Sequence, residues 1–370
     1  MKHHFVPQLL LDYWDCGKKE GKEKINIFDI KKLEIRLNQT IKEVFFEHDL
    51  YGKNSPVENP ILADLVEGPT AAVVKKIVTG NFHITSKDLS ILHTFIWSLY
   101  NRTPAFSKKS NEWADTAYKA IVQAGLNLKG LNPAEASSVE FNFKDDNFLA
   151  ENILNELSWG KILLEDLEYH IIKNETSSEF YISDHPLFIY NWFYRDLKHL
   201  EVINITASGL QIFLPLSPKI TLCLYDPKVY KYGNKSSVTY ISNNIDIEIL
   251  NSFQVINSDS IIGFSLIGSE FNIRELYEKY KNIKLHQPEA HMLPTNNEKE
   301  RKRISTYSFL LLEYMRQHKL DKIPSFIKIK KRARGNEFSY QERNPELAAK
   351  YIKYKKFIKR QRERRIIELD

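Results

Sequence analysis

The 370-residue sequence has few of the features that are typical of secreted proteins, of proteins with structural metal sites or of membrane proteins. It contains two cysteines, Cys16 and Cys223, and neither lies in a Cys-x-x-Cys pair, which excludes a disulfide framework and a thiolate metal site. No run approaches the roughly 18 apolar residues of a membrane helix, and the N-terminus lacks the apolar stretch and cleavage site of a signal peptide. We therefore expect a cytoplasmic protein with no membrane partner.

Familiar nucleotide-binding and hydrolase sequences are also missing. Only 13 glycines are present, and the chain has no P-loop, no Gly-x-Gly-x-x-Gly and no Gly-x-Ser-x-Gly, so nucleotide-cradling and serine-hydrolase functions are disfavoured. It also has no His-Glu-x-x-His and no Asp-x-Asp pair. Two Glu-x-Lys sequences, Glu20–Lys22 and Glu300–Lys302, lie in charged, loop-like segments rather than on a strand.

The positive charge is concentrated at the C-terminus. The whole chain carries +6, but residues 328–370 contain 15 Lys and Arg against 6 Asp and Glu, a net charge of +9 that leaves −3 for the rest. Such a segment attracts nucleic acid, because neutralised phosphates release counterions, but it also serves solubility. The candidate nucleic-acid-binding residues are Lys353, Lys355, Lys356, Lys359 and Arg360.

The first half of the chain has helical periodicity. Apolar residues follow the helical period through Glu58–Thr79, although Gly68 and Pro69 should kink or split the helix just after Glu67. Thr85 and Asp88 have the spacing of a capping box that begins another helix. We predict a helix-rich N-terminal half, opened by a short strand at Lys24–Phe28.

The second half has the pattern of a sheet. Three β-branched or alternating runs, Glu179–Ile182, Leu210–Leu214 and Lys219–Tyr225, are separated by turn residues and are predicted to be strands of one mainly antiparallel sheet. A helix around Ile245–Phe253 and a strand over Ile261–Ile267 should follow. The predicted fold class is α+β, with a core over residues 1–285, a linker over 286–303 and a basic helical extension over 304–370.

Several short sequences in one order resemble a known family. They are His-His-Phe-Val-Pro-Gln-Leu-Leu-Leu (His3–Leu11), Leu62–Glu67, Asn-Arg-Thr-Pro around Arg102, Ile-Ser-Asp-His-Pro (Ile182–Pro186), Phe213–Pro218 and Asn251. In this order they are similar to the bacterial domain-of-unknown-function family 4238, over roughly residues 2–265. The resemblance implies a fold boundary near residue 265 and implies no activity.

Four polar residues within apolar segments are candidate catalytic groups: His4, Glu67, Arg102 and Asp184. Pro7 favours an extended backbone before it, so His4 should lie on or beside a strand, while His3 is expected to be solvated. Arg102 should share the buried helix face of Phe95 and Leu99, where its guanidinium needs an anionic partner. Asp184 follows a strand, at the mouth of the predicted sheet.

Each of these residues also has a structural interpretation. His4 could anchor the chain start through a backbone carbonyl, and Arg102 could form a structural ion pair with Glu67 or Asp184. Asp184 could close a turn ahead of Pro186. Together, however, one His, one Arg and two carboxylates are the ingredients of a phosphodiester hydrolase site, and we predict that the four converge.

Two mechanisms fit these residue types. Without a metal, His4 acts as general base or acid, Arg102 neutralises the phosphate, and a carboxylate orients the imidazole; for RNA the 2′-hydroxyl is then the nucleophile. With a metal, Asp184, Glu67 and His4 hold a divalent ion that activates water.

Two functions therefore stay open. The first is a nucleic-acid-directed hydrolase, an RNase-like effector of a bacterial conflict or mobile-element system, whose basic tail captures RNA or DNA. The second is a non-enzymatic nucleic-acid- or protein-binding module in which the four polar residues form a structural network.

Overall fold

The computed structural model combines helices with mainly antiparallel sheets, which confirms the predicted α+β class. It describes residues 2–17, 19, 21–51, 57–102, 157, 160–197, 204–233, 236–283, 320 and 322–367. The strands are β1 (Lys2–His4), β2 (Lys24–Asp29), β3 (Glu34–Thr40), β4 (Phe46–His48), β5 (Glu168–Asn174), β6 (Ile182–Ser183), β7 (Phe188–Tyr190), β8 (Gln211–Ser217), β9 (Ile220–Tyr225), β10 (Tyr230–Tyr232), β11 (Val238–Ile241), β12 (Ile261–Phe264) and β13 (Ile327–Ile329).

Helices occur before, between and after these strands. They are α1 (Gln8–Leu11), α2 (Gly68–Val78), α3 (Ser86–Asn101), α4 (Asn244–Asn257), α5 (Ser269–Tyr280) and α6 (Pro345–Ile367), with a π-helical segment over Val57–Glu67. Short 3-10 turns lie at Asp12–Trp14, Ile41–Glu43, Gly160–Leu164 and Lys331–Ala333. Among the described residues, no helix has the length and apolar character needed to span a membrane.

Local sequence explains two of the helix boundaries. The Thr85 side chain accepts a hydrogen bond from the Asp88 backbone N–H, and the Asp88 carboxylate accepts one from the Thr85 N–H, so the predicted capping box begins α3. The predicted kink or split after Glu67 coincides with a change of helix type: the π-helical segment ends at Glu67 and passes directly into α2, which starts with Gly68 and Pro69, while Glu67 itself keeps a helical conformation.

The strands form four sheets. Two are pairs, β1–β4 and β10–β13; the third has the order β3-β2-β12-β6, and the fourth has the order β11-β5-β9-β8-β7. All pairings are antiparallel except β11 with β5. The prediction that the three strand-like runs of the second half share one sheet is wrong, because β6 pairs with β12 rather than with β8 or β9.

Strand β8 is buried on both faces and separates two parts of the core. Ile212, Leu214 and Leu216 join the cluster that contains the apolar faces of α2 and α3. Phe213 lies in a second cluster with Phe253 of α4. Because side chains alternate across a strand, the five-stranded sheet is a middle layer with helices on either side.

The segment after residue 319 contributes to the second cluster. Leu320, Phe326 and Ile327 are buried in it, and β13 pairs with β10 over Tyr230↔Ile329 to Tyr232↔Ile327. The predicted linker (286–303) lies outside the described residues, as do residues 103–156, so the helix-rich first half stays a prediction. The described residues between 320 and 333 therefore pack as part of the core.

Arg343 fastens this segment to the body of the molecule. Its Nε lies 2.9 Å from Asp166 Oδ2, and its Nη2 donates to the Leu163 carbonyl at 2.6 Å. Nη1 donates to the Ile205 carbonyl at 2.9 Å. The guanidinium is only 2% exposed, so removing it would leave the Asp166 carboxylate and these carbonyls without their donors.

Replacing Arg343 with Gln should lower the free energy of unfolding by about 3–5 kcal/mol, the usual cost of breaking a buried ion pair from one side. Urea denaturation followed by circular dichroism measures this change. Arg332→Gln is the matched control, since Arg332 is exposed and its loss should cost less than about 0.5 kcal/mol. Equal midpoints for the two variants would show that Arg343 does not hold the segment.

Candidate functional site

His4 is held at the end of β1. It pairs with Phe46 of β4, and the two rings lie 5.9 Å apart between centroids. The half-buried imidazole hydrogen-bonds the Lys42 backbone, and Gln8 Nε2 lies 3.3 Å from its Nδ1. Burial lowers the pKa of His4 below 6.5, against the opposing effects of Lys42 and Glu67. The ring is therefore neutral near neutral pH and has one basic nitrogen.

Glu67 and Arg102 form an ion pair whose charges act on His4. Arg102 Nη1 lies 2.7 Å from Glu67 Oε1, which is one of the ion pairs that the sequence predicts. Glu67 ends the π-helical segment, and Arg102 caps α3 at its C-terminus. The Arg102 side chain is 0% exposed and that of Glu67 is 25% exposed. The carboxylate can thus reach solvent, whereas the guanidinium lies beneath it.

These three residues form one electrostatic cluster. The negative charge of Glu67 raises the pKa of His4, and the positive charge of Arg102 lowers it, both as smaller effects than burial. The His4 imidazole and the Glu67 carboxylate are side chains of types that can give or take a proton, and the Arg102 guanidinium is paired with that carboxylate.

Asp184 belongs to a different network. Its Oδ1 accepts from Ser258 Oγ (2.9 Å) and the Asp259 N–H (3.0 Å), while its Oδ2 accepts from the N–H and Oγ of Ser260 (both 2.6 Å) and the Ile261 N–H (3.3 Å). Burial raises the pKa of the Asp184 carboxyl, and the hydrogen bonds from Ser260, Asp259 and Ser258 oppose that shift. Five donors saturate the roughly four lone-pair positions of a carboxylate. Asp184 has no lone pair left for a substrate.

Side-chain amides of α4 fix the segment that carries Asp184. Asn251, Gln254 and Asn257 lie about one turn apart and hydrogen-bond the backbone of residues 179–187. The contacts are Tyr181 N–H to Asn251 Oδ1 (2.9 Å), Asn251 Nδ2 to the Glu179 carbonyl (2.8 Å), Ser183 N–H to Gln254 Oε1 (3.0 Å), Gln254 Nε2 to the Pro186 carbonyl (2.9 Å) and Asn257 Nδ2 to the Leu187 carbonyl (2.9 Å).

The three metal ligands that the sequence suggests, Asp184, Glu67 and His4, do not form one site. Within the described ranges, no three His, Cys, Asp or Glu side chains lie close enough together to hold a metal ion. Asp184, Glu67 and His4 are all described residues, so they are not joint ligands of one ion. The reason is that the Asp184 carboxylate, just after β6, is bound by the loop that precedes the neighbouring strand β12.

His3 differs from its expected state. It was expected in solvent but is fully buried, and its Nδ1 accepts a hydrogen bond from the Tyr51 N–H at 3.1 Å. The two rings stack at a centroid distance of 5.1 Å. The prediction is wrong because side chains alternate across β1, so that one of the two adjacent histidines points inward. A strand of three residues has too short a pattern to show which histidine this is.

The predicted nucleic-acid-binding residues lie on α6. Lys353, Lys355 and Lys356 are exposed there, whereas the side chains of Lys359 and Arg360 lie outside the described residues. Tyr351 packs edge-on against Trp97 at 6.3 Å between ring centroids, so it belongs in part to the packing of α6.

The comparisons with known proteins agree with the resemblance seen in the sequence. The model of the family described as "Protein of unknown function (DUF4238)" matches residues 2–265, and the chain therefore belongs to that family. The search of curated proteins and the search of solved structures each gave no match. The matched range includes His4, Glu67, Arg102 and Asp184 and ends before the segment that Arg343 fastens.

Replacing Asp184 with Asn should lower the free energy of unfolding by about 3 kcal/mol or more. The new amide group would face backbone and hydroxyl donors, and each buried donor left unpaired costs about 1–3 kcal/mol. Asp259→Asn, in the loop that binds Asp184 but with an exposed side chain, is the control and should change stability by less than about 0.5 kcal/mol. Thermal and urea unfolding of both variants give the comparison. Wild-type stability in Asp184→Asn would contradict the structural role.

Proposed function

We propose that this protein is a nucleic-acid-directed phosphodiester hydrolase that acts on RNA through His4 and Glu67. One observation carries the proposal: the half-buried His4 imidazole has a lowered pKa and is acted on by the charge of Glu67, a partly exposed carboxylate paired with a buried guanidinium. Neutral imidazole is the form that can accept a proton from a hydroxyl near pH 7.

The proposed reaction uses the RNA itself as nucleophile. His4 takes the proton of the 2′-hydroxyl, the 2′-oxygen attacks the adjacent phosphorus, and the bond from phosphorus to the 5′-oxygen breaks. The departing 5′-oxygen takes a proton from water or a protonated side chain, which leaves a 2′,3′-cyclic phosphate. The hydrogen bond from the ring to the Lys42 backbone sets the tautomer and so determines which nitrogen is the base.

Arg102 is a positioning residue in this proposal. Its side chain is fully buried under Glu67, so it acts on substrate through that carboxylate rather than by touching a phosphate. Asp184 has no catalytic part, because its oxygens already accept five hydrogen bonds. A role in a bacterial conflict system, and capture of nucleic acid by Lys353, Lys355, Lys356, Lys359 and Arg360 on a basic C-terminal helix, remain parts of the proposal.

A second function is favoured by a specific observation. Arg102 and Asp184, two of the four candidate residues, are bound within structural contacts. This arrangement also suits a binding module without enzymatic activity. Labelled RNA and DNA, incubated with the purified full chain with and without divalent ions, distinguish the two functions. Cleavage of neither polymer under any condition would reject the hydrolase in favour of the binding module.

Replacing His4 with Gln should reduce kcat/KM for RNA cleavage by about 100-fold or more, the usual contribution of a general base or acid. The melting temperature should change little, because the amide can keep a hydrogen bond to the Lys42 carbonyl. His48→Gln, on the neighbouring strand and exposed, should cleave at the wild-type rate. A His4→Gln variant of full activity would remove the catalytic role.

The pH dependence of cleavage follows from the lowered pKa of His4. A base works in its neutral form, so log kcat/KM should rise with pH, level off below pH 6.5, and stay level through pH 7. The charged groups that act on the ring are Glu67, Arg102 and Lys2. Glu67→Gln removes a negative charge that raises the pKa of His4, so its acid limb should move to still lower pH. An acid limb unaffected by this change would place the titrating group elsewhere.

A further inference from the structure

A basic cleft of about 770 Å³ lies beside the β10–β13 pair. One wall contains Trp192, Phe193, Arg195 and Asp196, and the other contains β13, Lys330 and Lys331. The segment after residue 319 forms the second wall, so the cleft needs chain beyond the family range, residues 2–265. None of its residues belongs to the His4 cluster.

The charge of the cleft is strongly positive. Six basic side chains and two acidic ones line it: Arg195, Lys231, Lys328, Lys330, Lys331 and Arg334 against Asp196 and Glu337. Arg195 is paired with Asp196 at 3.3 Å, and Lys330 Nζ donates to the Pro227 carbonyl. Among the described residues, the other four basic groups have no carboxylate partner.

The strand register places two of these lysines face to face. Lys231 of β10 lies directly opposite Lys328 of β13, and both side chains are exposed. Side chains directly opposite on antiparallel strands have Cβ atoms about 5 Å apart, and like charges there are destabilising. An anion bound between them would remove that repulsion.

The lining of the cleft also contains apolar side chains, those of Trp192, Phe193, Ile323 and Ile327. Trp192 is 1% exposed, and its ring lies 4.6 Å from that of Tyr190 between centroids. Aromatic side chains provide surfaces on which unpaired bases stack.

We infer that this cleft binds single-stranded nucleic acid. Four basic groups that have no carboxylate partner in the described part of the chain suit the phosphates of a strand, and the apolar lining suits unstacked bases, which a duplex would hide. The inference concerns binding only. It does not depend on His4 acting as a catalyst.

The test measures binding of a fluorescein-labelled 10-nucleotide single-stranded DNA by anisotropy, using the full chain. DNA lacks the 2′-hydroxyl that the proposed cleavage requires, so failure of binding and failure of hydrolysis are seen separately. Lys328→Gln with Lys331→Gln should weaken binding at least tenfold at 50 mM salt. It should also reduce the logarithmic salt slope by about 1.4, since each phosphate contact with a single strand contributes about 0.7.

Two further double variants make the result specific. Lys31→Gln with Lys32→Gln removes the same charge from an exposed turn and should leave the affinity within about twofold. Lys353→Gln with Lys355→Gln tests α6 in the same way. Loss of binding in the α6 variant, with the cleft variant equal to the turn control, would overturn the inference.

A free nucleotide carries the same phosphate chemistry and is tested in a second arm. Unlabelled nucleoside triphosphate competes with the labelled strand. If the triphosphate displaces the labelled strand only at concentrations far above those at which an unlabelled 10-mer displaces it, the result supports the strand as the occupant of the cleft. If a labelled nucleoside triphosphate binds through Lys328 and Lys331 while the strand does not, or if neither binds, the assignment to single-stranded nucleic acid is wrong.

Discussion

The hydrogen bonds between the amides of α4 and the backbone of residues 179–187 are the constraint on which the centre of the molecule depends. That stretch contains only the two-residue strand β6 and has little regular pairing of its own. Asn251, Gln254 and Asn257 supply the missing partners from one helix face. Buried backbone groups must be paired, so the position of α4 fixes the path of the chain between the two larger sheets.

This constraint changes the meaning of the Ser-Asp-His-Pro sequence. By its residue types it suggests a catalytic carboxylate, but Ser183 is bound to Gln254 and Asp184 is bound to the loop before β12. A polar residue within an apolar segment is consistent with either role. The number of donors around it separates the two, and those donors are known only once the fold is known.

Sequence reasoning succeeded where the cause was local. The capping box of α3 and the strand at β2 each depend on residues within one turn or on alternation. The pairing of Arg102 with Glu67 was also within reach, because a buried guanidinium demands an anion. Long-range pairing could not be predicted from the sequence. The donors to Asp184 lie 74 to 77 positions further along the chain. Counting charges also cannot show that Lys231 lies opposite Lys328.

The β10–β13 pair also bears on synthesis of the chain. At about 5–20 residues per second, β10 is synthesised roughly 5–20 seconds before its partner strand. Until β13 exists, Tyr230 and Tyr232 belong to an unpaired strand, and unpaired strands are templates for association with other chains. Lysine on such a strand discourages these contacts. By this principle Lys231 serves the unfinished chain in a way that ends once it lies opposite Lys328.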